Sequence, residues 1–359
     1  MQASRNISGA AALCEAFDQA MAADPTVFLV GLGAGDVKGL FGTTSGLLQK
    51  YGPERVIEPP CSENALTGIA IGAALMGQRP ILSHQRVEFS LLALEQVIDN
   101  AAKIHYGSNG LHRVPLVIRM IIGRGWGQGA QHAQSLEALY AHIPGLKVVM
   151  PVTAADHKGM MLAAIADDNP VIFIEHRWCH YTEGDVPTAP IPAPLDGPAR
   201  LVAGNDVTVV ATSFMVLEAM VAVQVLDKTG VGVDLFDLRV LRPLNLISIV
   251  ESVKRTGRLL VVDTGPTTYG IGAEICTQIT ERCFDELKSA PHRIGLPDIP
   301  VPASPALAAA YYPTSAEIAE EILRLAGNQQ HTASIRAELE EIRGKVPFDA
   351  PHPAFKGPF

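Results

Sequence analysis

Twice along this chain, short apolar runs alternate with helix-length stretches, and this rhythm restricts the fold more than any other feature. In the first series, strands are expected at Val27–Gly31, Arg55–Glu58, Pro80–Ser83, Leu116–Ile122, Leu146–Met150 and Pro170–Glu175. Helices are expected between them at Glu63–Met76, Leu91–Lys103 and Ala154–Ala166. Strands that are apolar along their whole length are covered on both faces, which is the mark of a parallel sheet sandwiched by helices. The second series has strands at Val207–Ala211, Val233–Leu238, Arg258–Asp263 and Arg293–Leu296, with helices Met215–Leu226, Leu246–Val253, Gly270–Cys283 and Thr314–Ala326. Between the two series, Asp185–Pro198 carries Pro187, Pro190, Pro192, Pro194 and Pro198, a composition that suits an extended linker and no helix. The expected fold class is therefore α/β, with two doubly wound units. These are residues 1–185 and 200–327, joined by a Pro-rich linker at 186–199 and followed by a tail at 328–359. In the tail, a helix over Ile335–Arg343 is expected before an extended segment.

Composition agrees and excludes several classes. The 359 residues fit two domains, and 48% hydrophobic content suffices for two cores. The formal net charge is −9 with no basic stripe, which argues against nucleic acid as a partner. No apolar run approaches the roughly 20 residues of a membrane span. The N-terminal segment carries Glu15 and Asp18 among apolar residues, so it reads as an amphipathic helix rather than a targeting peptide. Five cysteines without CxxC spacing argue against a disulfide framework or structural zinc. Most read as buried thiols in a reducing, cytoplasmic setting.

Local motifs narrow the chemistry. Gly31-Leu-Gly-Ala-Gly-Asp36 follows a strand, but Asp36 breaks the dinucleotide pattern and no Gly-Lys-Ser/Thr follows, so a sharp turn is expected. Glu63 opens a helix of small residues after Pro59, Pro60 and the cap candidate Ser62. It is either a first-turn acid that complements the helix dipole or a carboxylate desolvated against a ligand. His132 ends a glycine-dense loop after a strand, where sites on α/β sheets gather. His176 and His180 have metal-like spacing, but the stretch leaves a strand as loop, which disfavours a metal. Neither GxSxG nor HExxH occurs.

Several stretches together carry a family resemblance. They include Ser62-Glu-Asn-Ala-Leu-Thr-Gly68, Phe89-Ser90 with Glu95-Gln-Val-Ile-Asp-Asn-Ala-Ala-Lys103, Ala130-Gln-His-Ala-Gln-Ser135 and Pro144-Gly-Leu-Lys-Val-Val149. Asp167-Asp-Asn-Pro170, Asp237-Leu-Arg239 with Arg242-Pro-Leu244, and Val301-Pro-Ala-Ser-Pro305 complete the set. The chain resembles the beta subunit of the thiamine-diphosphate-dependent 2-oxo acid dehydrogenases, in their decarboxylating component. That resemblance implies a transketolase-like pyrimidine-binding domain followed by a transketolase C-terminal-type domain. It implies that Glu63 hydrogen-bonds the aminopyrimidine ring of thiamine diphosphate and that Phe89 packs on the ring, with Leu92 nearby where a glutamine is common. It implies that His132 handles protons or orients intermediates. It also implies a structural potassium site on backbone carbonyls of Leu116, Ala164, Ile165, Asp167 and Asn169.

Departures are concentrated at Ser83-His-Gln-Arg-Val-Glu88, where the family carries aromatic or small polar residues, and at Asn245, where an aspartate is usual. His84 and Arg86 in that stretch point to an unusual substrate. The Gly-Asp-Gly motif that holds the cofactor's diphosphate and Mg²⁺ in this superfamily does not occur in the chain. An alpha subunit is therefore expected to hold both and to complete the site in an alpha2beta2 assembly, with acyl transfer to a lipoyl acyltransferase component. Pyruvate, branched-chain and acetoin-type substrates are equivalent at this level. Two alternatives stay open: a split transketolase-like or other thiamine-diphosphate lyase or transferase subunit, and a non-catalytic scaffold in which Glu63 is only a helix-start acid.

Overall fold

The computed structural model describes residues 4–124 and 127–344. Gly125 and Trp126 of the glycine-dense loop, and the segment 345–359 where the extended tail is expected, lie outside the described residues. Fourteen strands are described. The first eight are β1 (Ser4–Ser8), β2 (Val27–Gly31), β3 (Val56–Ile57), β4 (Arg79–His84), β5 (Val117–Ile122), β6 (Lys147–Val149), β7 (Val171–His176) and β8 (Glu183–Pro187). The others are β9 (Ala199–Val202), β10 (Val207–Ala211), β11 (Val233–Asp237), β12 (Val240–Arg242), β13 (Leu259–Pro266) and β14 (His292–Leu296).

Two sheets dominate. The first runs β12-β6-β7-β5-β4-β2-β3 and the second β14-β13-β10-β11-β9. Every pairing among β2 to β7 in the first sheet is parallel, as are β10 with β11 and β13, and β13 with β14. The two antiparallel additions are at the edges: β12 on β6 and β9 on β11. β5 and β7 are buried at every residue, which is why the sequence shows them as uninterrupted apolar runs.

Side-chain caps explain three helix starts. Ser8 caps the helix Gly9–Ala23 by accepting from the Ala11 N–H, and Thr153 caps Ala154–Ala166 by accepting from the Asp156 N–H at 3.0 Å. Thr314 and Glu317 form a capping box on Ser315–Ala326, which ends at Gly327 in the left-handed region. Ser62 occupies the cap of Glu63–Leu75, but its side chain makes no capping bond, contrary to expectation.

Several elements differ from the sequence expectation. The proline-rich stretch is ordered at its start, where β8 pairs antiparallel with β1. Lys158 closes this corner: its buried ammonium donates to Glu15 Oε1 at 2.8 Å and to the Pro187 carbonyl at 2.6 Å. The single helix expected at Leu91–Lys103 is instead a tight turn at Leu91–Ala93 followed by a widened turn at Gln96–Ala101, where the Ala102 N–H reaches back to Val97. Close packing frames this widening. A Cβ at Gly68 would lie 3.3 Å from Gln96 Oε1, and one at Gly145 would lie 1.9 Å from the Ala102 carbonyl oxygen. β12 was not expected, because three residues between a strand and a proline carry no period of their own. The C-terminal helix spans Thr332–Arg343. Of the five free cysteines, only Cys179 and Cys283 are buried; Cys61 is exposed and the other two are half-buried.

The two sheets share one core. The largest apolar cluster includes Ile118, Met120 and Tyr140 with Val210, Phe236, Leu238 and Val261. At this boundary two buried carboxyls meet from opposite sides: Glu137, opening the helix Glu137–Ala141, and Asp263 on β13. Among the described residues, both Glu137 oxygens and Asp263 Oδ2 have no hydrogen-bond partner, while Asp263 Oδ1 accepts from Thr212 Oγ1 at 2.7 Å. Gly265 lets this carboxyl approach the backbone, since a Cβ would lie 2.1 Å from Glu137 Oε1 and would displace it. Burial first, and then the charge of Asp263, push the Glu137 carboxyl up to about 8. The folded state thus keeps a proton that the unfolded chain releases near pH 4.5. Stability is expected to fall as pH rises from that value to about 8, and to level off above it. Urea midpoints measured across this window check the decline, and Glu137→Gln is expected to flatten it.

Candidate active site

The carboxyl ends of β4 and β5 deliver two segments to one place. After β4 the chain turns at Arg86 into the short helix Val87–Ser90, whose next turn is Leu91–Ala93. After β5 it enters the glycine-dense loop that ends in the turn Gly129–Gln131 and His132. Phe89 and His132, 43 positions apart in sequence, meet edge to face with ring centroids 5.5 Å apart. Both are half-buried. His132 Nδ1 is bonded to the Gln131 carbonyl at 2.5 Å.

Residues that the sequence did not single out as site members fasten this loop. Arg86 donates to the Gly123 carbonyl at 3.3 Å and to Gln128 Oε1 at 2.5 Å. Arg177 donates to the Arg124 carbonyl at 2.6 and 3.0 Å. Glu88 Oε1 accepts from the Gln134 N–H at 2.7 Å. The loop also rests on the second unit: Gly127 has φ 64°, and a Cβ there would lie 2.9 Å from the Ala303 carbonyl oxygen. The available signal was the charged pair Arg86 and Glu88 just before Phe89, where the family resemblance predicts none.

Glu63 is the first residue of its helix and is 8% exposed. Among the described residues, the only hydrogen-bond partner of its carboxylate is the Cys61 thiol, at 3.7 and 3.9 Å. The next residue, Asn64, reaches the Leu92 carbonyl at 3.5 Å, so the start of this helix lies beside the Leu92 turn. Leu92 itself is 65% exposed. Clefts of about 530 and 740 Å³ exist in the single chain, but both are lined by Arg242 rather than by Glu63, Phe89 or His132.

The glycine cluster after β2 holds an anion of its own. Gly33 and Gly35 donate to the two oxygens of Glu58 at 2.8 and 2.9 Å, so the turn is filled from within. His176 stacks on Phe214 at 4.9 Å, and His180 bonds to Glu175 at 2.6 Å. Among the described residues no group of three or more His, Cys, Asp or Glu could hold a metal, and no helix is long and apolar enough to cross a membrane.

Leu116, Ala164, Ile165, Asp167 and Asn169 lie at the opposite, amino ends of β5 and β7. The carbonyls of Ile165 and Asp167 converge on one nitrogen of Arg79, each at 3.0 Å. Leu116 O accepts from the Val171 N–H, and Ala164 O from the Asp167 N–H. Each carbonyl has a second lone pair.

Comparison with known proteins follows this geometry. The family described as "Transketolase, pyrimidine binding domain" matches residues 5–179, and "Transketolase, C-terminal domain" matches 198–318. Pyruvate dehydrogenase E1 component subunit beta-2 of Oryza sativa subsp. japonica is 41% identical over 296 residues, covering 81% of this chain and 78% of that protein. The acetoin:2,6-dichlorophenolindophenol oxidoreductase subunit beta of Cupriavidus necator is 40% identical, covering 88% and 96%. The chain belongs to this family of dehydrogenase beta subunits. Among solved structures, a split-gene transketolase in an inactive beta4 tetramer superposes with a TM-score of 0.72 at 21% identity, covering 90% of this chain and 99% of that one. Transketolase from Leishmania mexicana gives 0.67 at 17%, over 91% of this chain and 46% of that one. At such identities these two establish the fold alone.

Membership in this beta-subunit family makes the surroundings of Glu63 worth probing directly. The Glu63 carboxylate, and then burial, raise the Cys61 thiol above its ordinary range. In the pH profile of alkylation at Cys61, Glu63→Gln is expected to move the midpoint to lower pH. An unmoved midpoint would show that the two side chains do not meet in solution.

Proposed function

We propose that this chain is the beta half of a thiamine-diphosphate-dependent 2-oxo acid dehydrogenase, active only with an alpha subunit. The single observation that carries this reading is the Phe89–His132 ring contact beside the Leu92 turn that the Glu63 helix start reaches, in a chain of the beta-subunit family. Division of the chain at 186–199 fits this reading, as do an alpha2beta2 assembly, cytoplasmic placement with free thiols, and acyl transfer to a lipoyl acyltransferase component. The alpha subunit would hold the diphosphate and Mg²⁺.

When bound, thiamine diphosphate supplies a carbanion nucleophile and an electron sink for decarboxylation. The buried Glu63 carboxyl would hold the proton on the aminopyrimidine ring nitrogen, an acid–base role. Phe89 would pack on the ring and fix its tilt. His132, fixed through Nδ1 on Gln131, would present Nε2 to move a proton at the substrate oxygen. Exclusion of water would be completed by the partner. In the reconstituted complex, Glu63→Gln is expected to lower kcat by several powers of ten, or about 4 kcal/mol and upward. The isolated chain is expected to decarboxylate no 2-oxo acid. A scaffold role predicts that Glu63→Gln loses almost nothing, and turnover by the chain alone would refute the half-site.

The carbonyls of Leu116, Ala164, Ile165, Asp167 and Asn169 would hold a structural potassium ion beside Arg79, using their remaining lone pairs. Its role would be stability and not chemistry. Melting temperature in potassium chloride is expected to exceed that in choline chloride at equal ionic strength, and equality would remove the site.

A further inference from the structure

The turn that carries Phe89 is held from the core side by a buried hydroxyl relay. The helix Val87–Ser90 is a single turn, too short to keep its shape unaided. Toward the loop, Arg86 and Glu88 reach Gly123, Gln128 and Gln134, which flank His132 in sequence. Toward the core, Val87 and Ser90 have no exposed surface. Ser90 Oγ lies 2.5 Å from the Val87 carbonyl oxygen and is also hydrogen-bonded to the Tyr140 hydroxyl. A carbonyl can only accept, so the Ser90 hydrogen is committed to Val87 and Tyr140 must donate to Ser90. Tyr140 comes from the helix Glu137–Ala141, 50 positions along the chain, and has no exposed surface either. Burial pushes its hydroxyl up to about 12, so it remains a donor at neutral pH. Val87 and Tyr140 both belong to the largest apolar cluster. The relay thus ties the first and last residues of the turn to the core. Phe89, half-buried between them, keeps its ring edge to face with His132.

We propose that Tyr140 is a positioning residue for the reaction, which through Ser90 fixes the turn that presents Phe89 to the aminopyrimidine ring of thiamine diphosphate. The inference rests on the function proposed above, in which Phe89 packs on that ring. Tyr140 is wholly buried, so it acts through the turn and not on the ring. A contact that is ordered only on binding costs conformational entropy at that moment, whereas one ordered during folding does not. In Tyr140→Phe the aromatic ring still fills its place in the core and Ser90 still bonds Val87, but the tie to the helix Glu137–Ala141 is lost. The turn is then free to rock, and Phe89 with it. Ser90→Ala cuts the same relay at its other joint, so the two substitutions remove one interaction.

The test titrates thiamine diphosphate into the chain reconstituted with its alpha subunit and Mg²⁺, with calorimetry as the readout. Tyr140→Phe and Ser90→Ala are each expected to raise the Kd by roughly three- to tenfold, the range of one hydrogen bond. The double variant is expected to do no worse than either. At saturating cofactor, kcat is expected to fall while the KM for the 2-oxo acid is unchanged. Tyr51→Phe serves as the control, since it removes a hydroxyl that donates to the Asp18 carbonyl at 2.7 Å in another part of the chain. It is expected to lower the melting temperature and leave the Kd unmoved. A melting temperature lowered in Tyr140→Phe with the Kd unmoved, or loss of folding in both relay variants, makes Tyr140 purely structural and overturns this inference. Additive losses in the double variant overturn it as well. Failure of the wild-type complex to bind thiamine diphosphate overturns the proposed function instead.

Discussion

Arg119 and Glu175 have no exposed side-chain surface, and they pair across adjacent central strands. Arg119 on β5 faces Phe173 in register, and Glu175 lies two residues further along β7 on the same face of the sheet, so the guanidinium reaches it in fork geometry. A buried ion pair must overcome a large desolvation cost, and it persists only when its remaining hydrogen-bonding capacity is met. His180 supplies part of that: its Nε2 meets Glu175 Oε2 at 2.6 Å in the turn at the end of β7, while Arg119 Nη1 has no hydrogen-bond partner among the described residues. The opposed pulls of burial and Arg119 leave Glu175 held down at about 2, so the carboxylate stays charged. Much of the site follows from this turn. It places Arg177 under the Arg124 carbonyl, fastening the loop that ends in His132, and it aims His176 and Trp178 at Phe214 of the second unit.

The same loop is therefore held from three directions. Arg86 and Glu88 hold it from β4, Arg177 from β7, and Ala303 from the second unit. A histidine at the end of a glycine-rich segment would otherwise sample many positions, at an entropic cost of about 1–2 kcal/mol for each residue to be fixed. The hydrogen bonds and ring contacts move that ordering into folding, so that little remains for ligand binding.

Sequence patterns revealed the parallel strands because β5, β7, β10 and β13 are buried on both faces and have no polar period to hide them. The helix bearing Glu63 was legible from its prolines and small residues. The Phe89–His132 contact was not, since nothing local couples residues on different strands; the family resemblance alone placed them in one site. Glu58 in the glycine turn was equally silent, because two backbone N–H groups leave no trace in side-chain identity. Ser62 shows the converse: the right residue type at a cap position, with its hydroxyl uncommitted. Arg86 and Glu88 stood out as unusual, but only the folded chain shows what they hold.

β12 carries a consequence for how this protein is made. Residues 240–242 close the edge of a sheet whose other strands all lie before residue 177, and they pair with β6 from across the unit boundary. While the chain emerges from a ribosome, the first sheet keeps a bare edge until the second unit is well under way, an exposure of unpaired N–H and C=O groups that invites strand addition by neighbours. The halves are thus sewn together by a late stitch. The natural seam for splitting or grafting this protein is not the proline-rich stretch, because a cut there would leave the N-terminal piece without its edge strand.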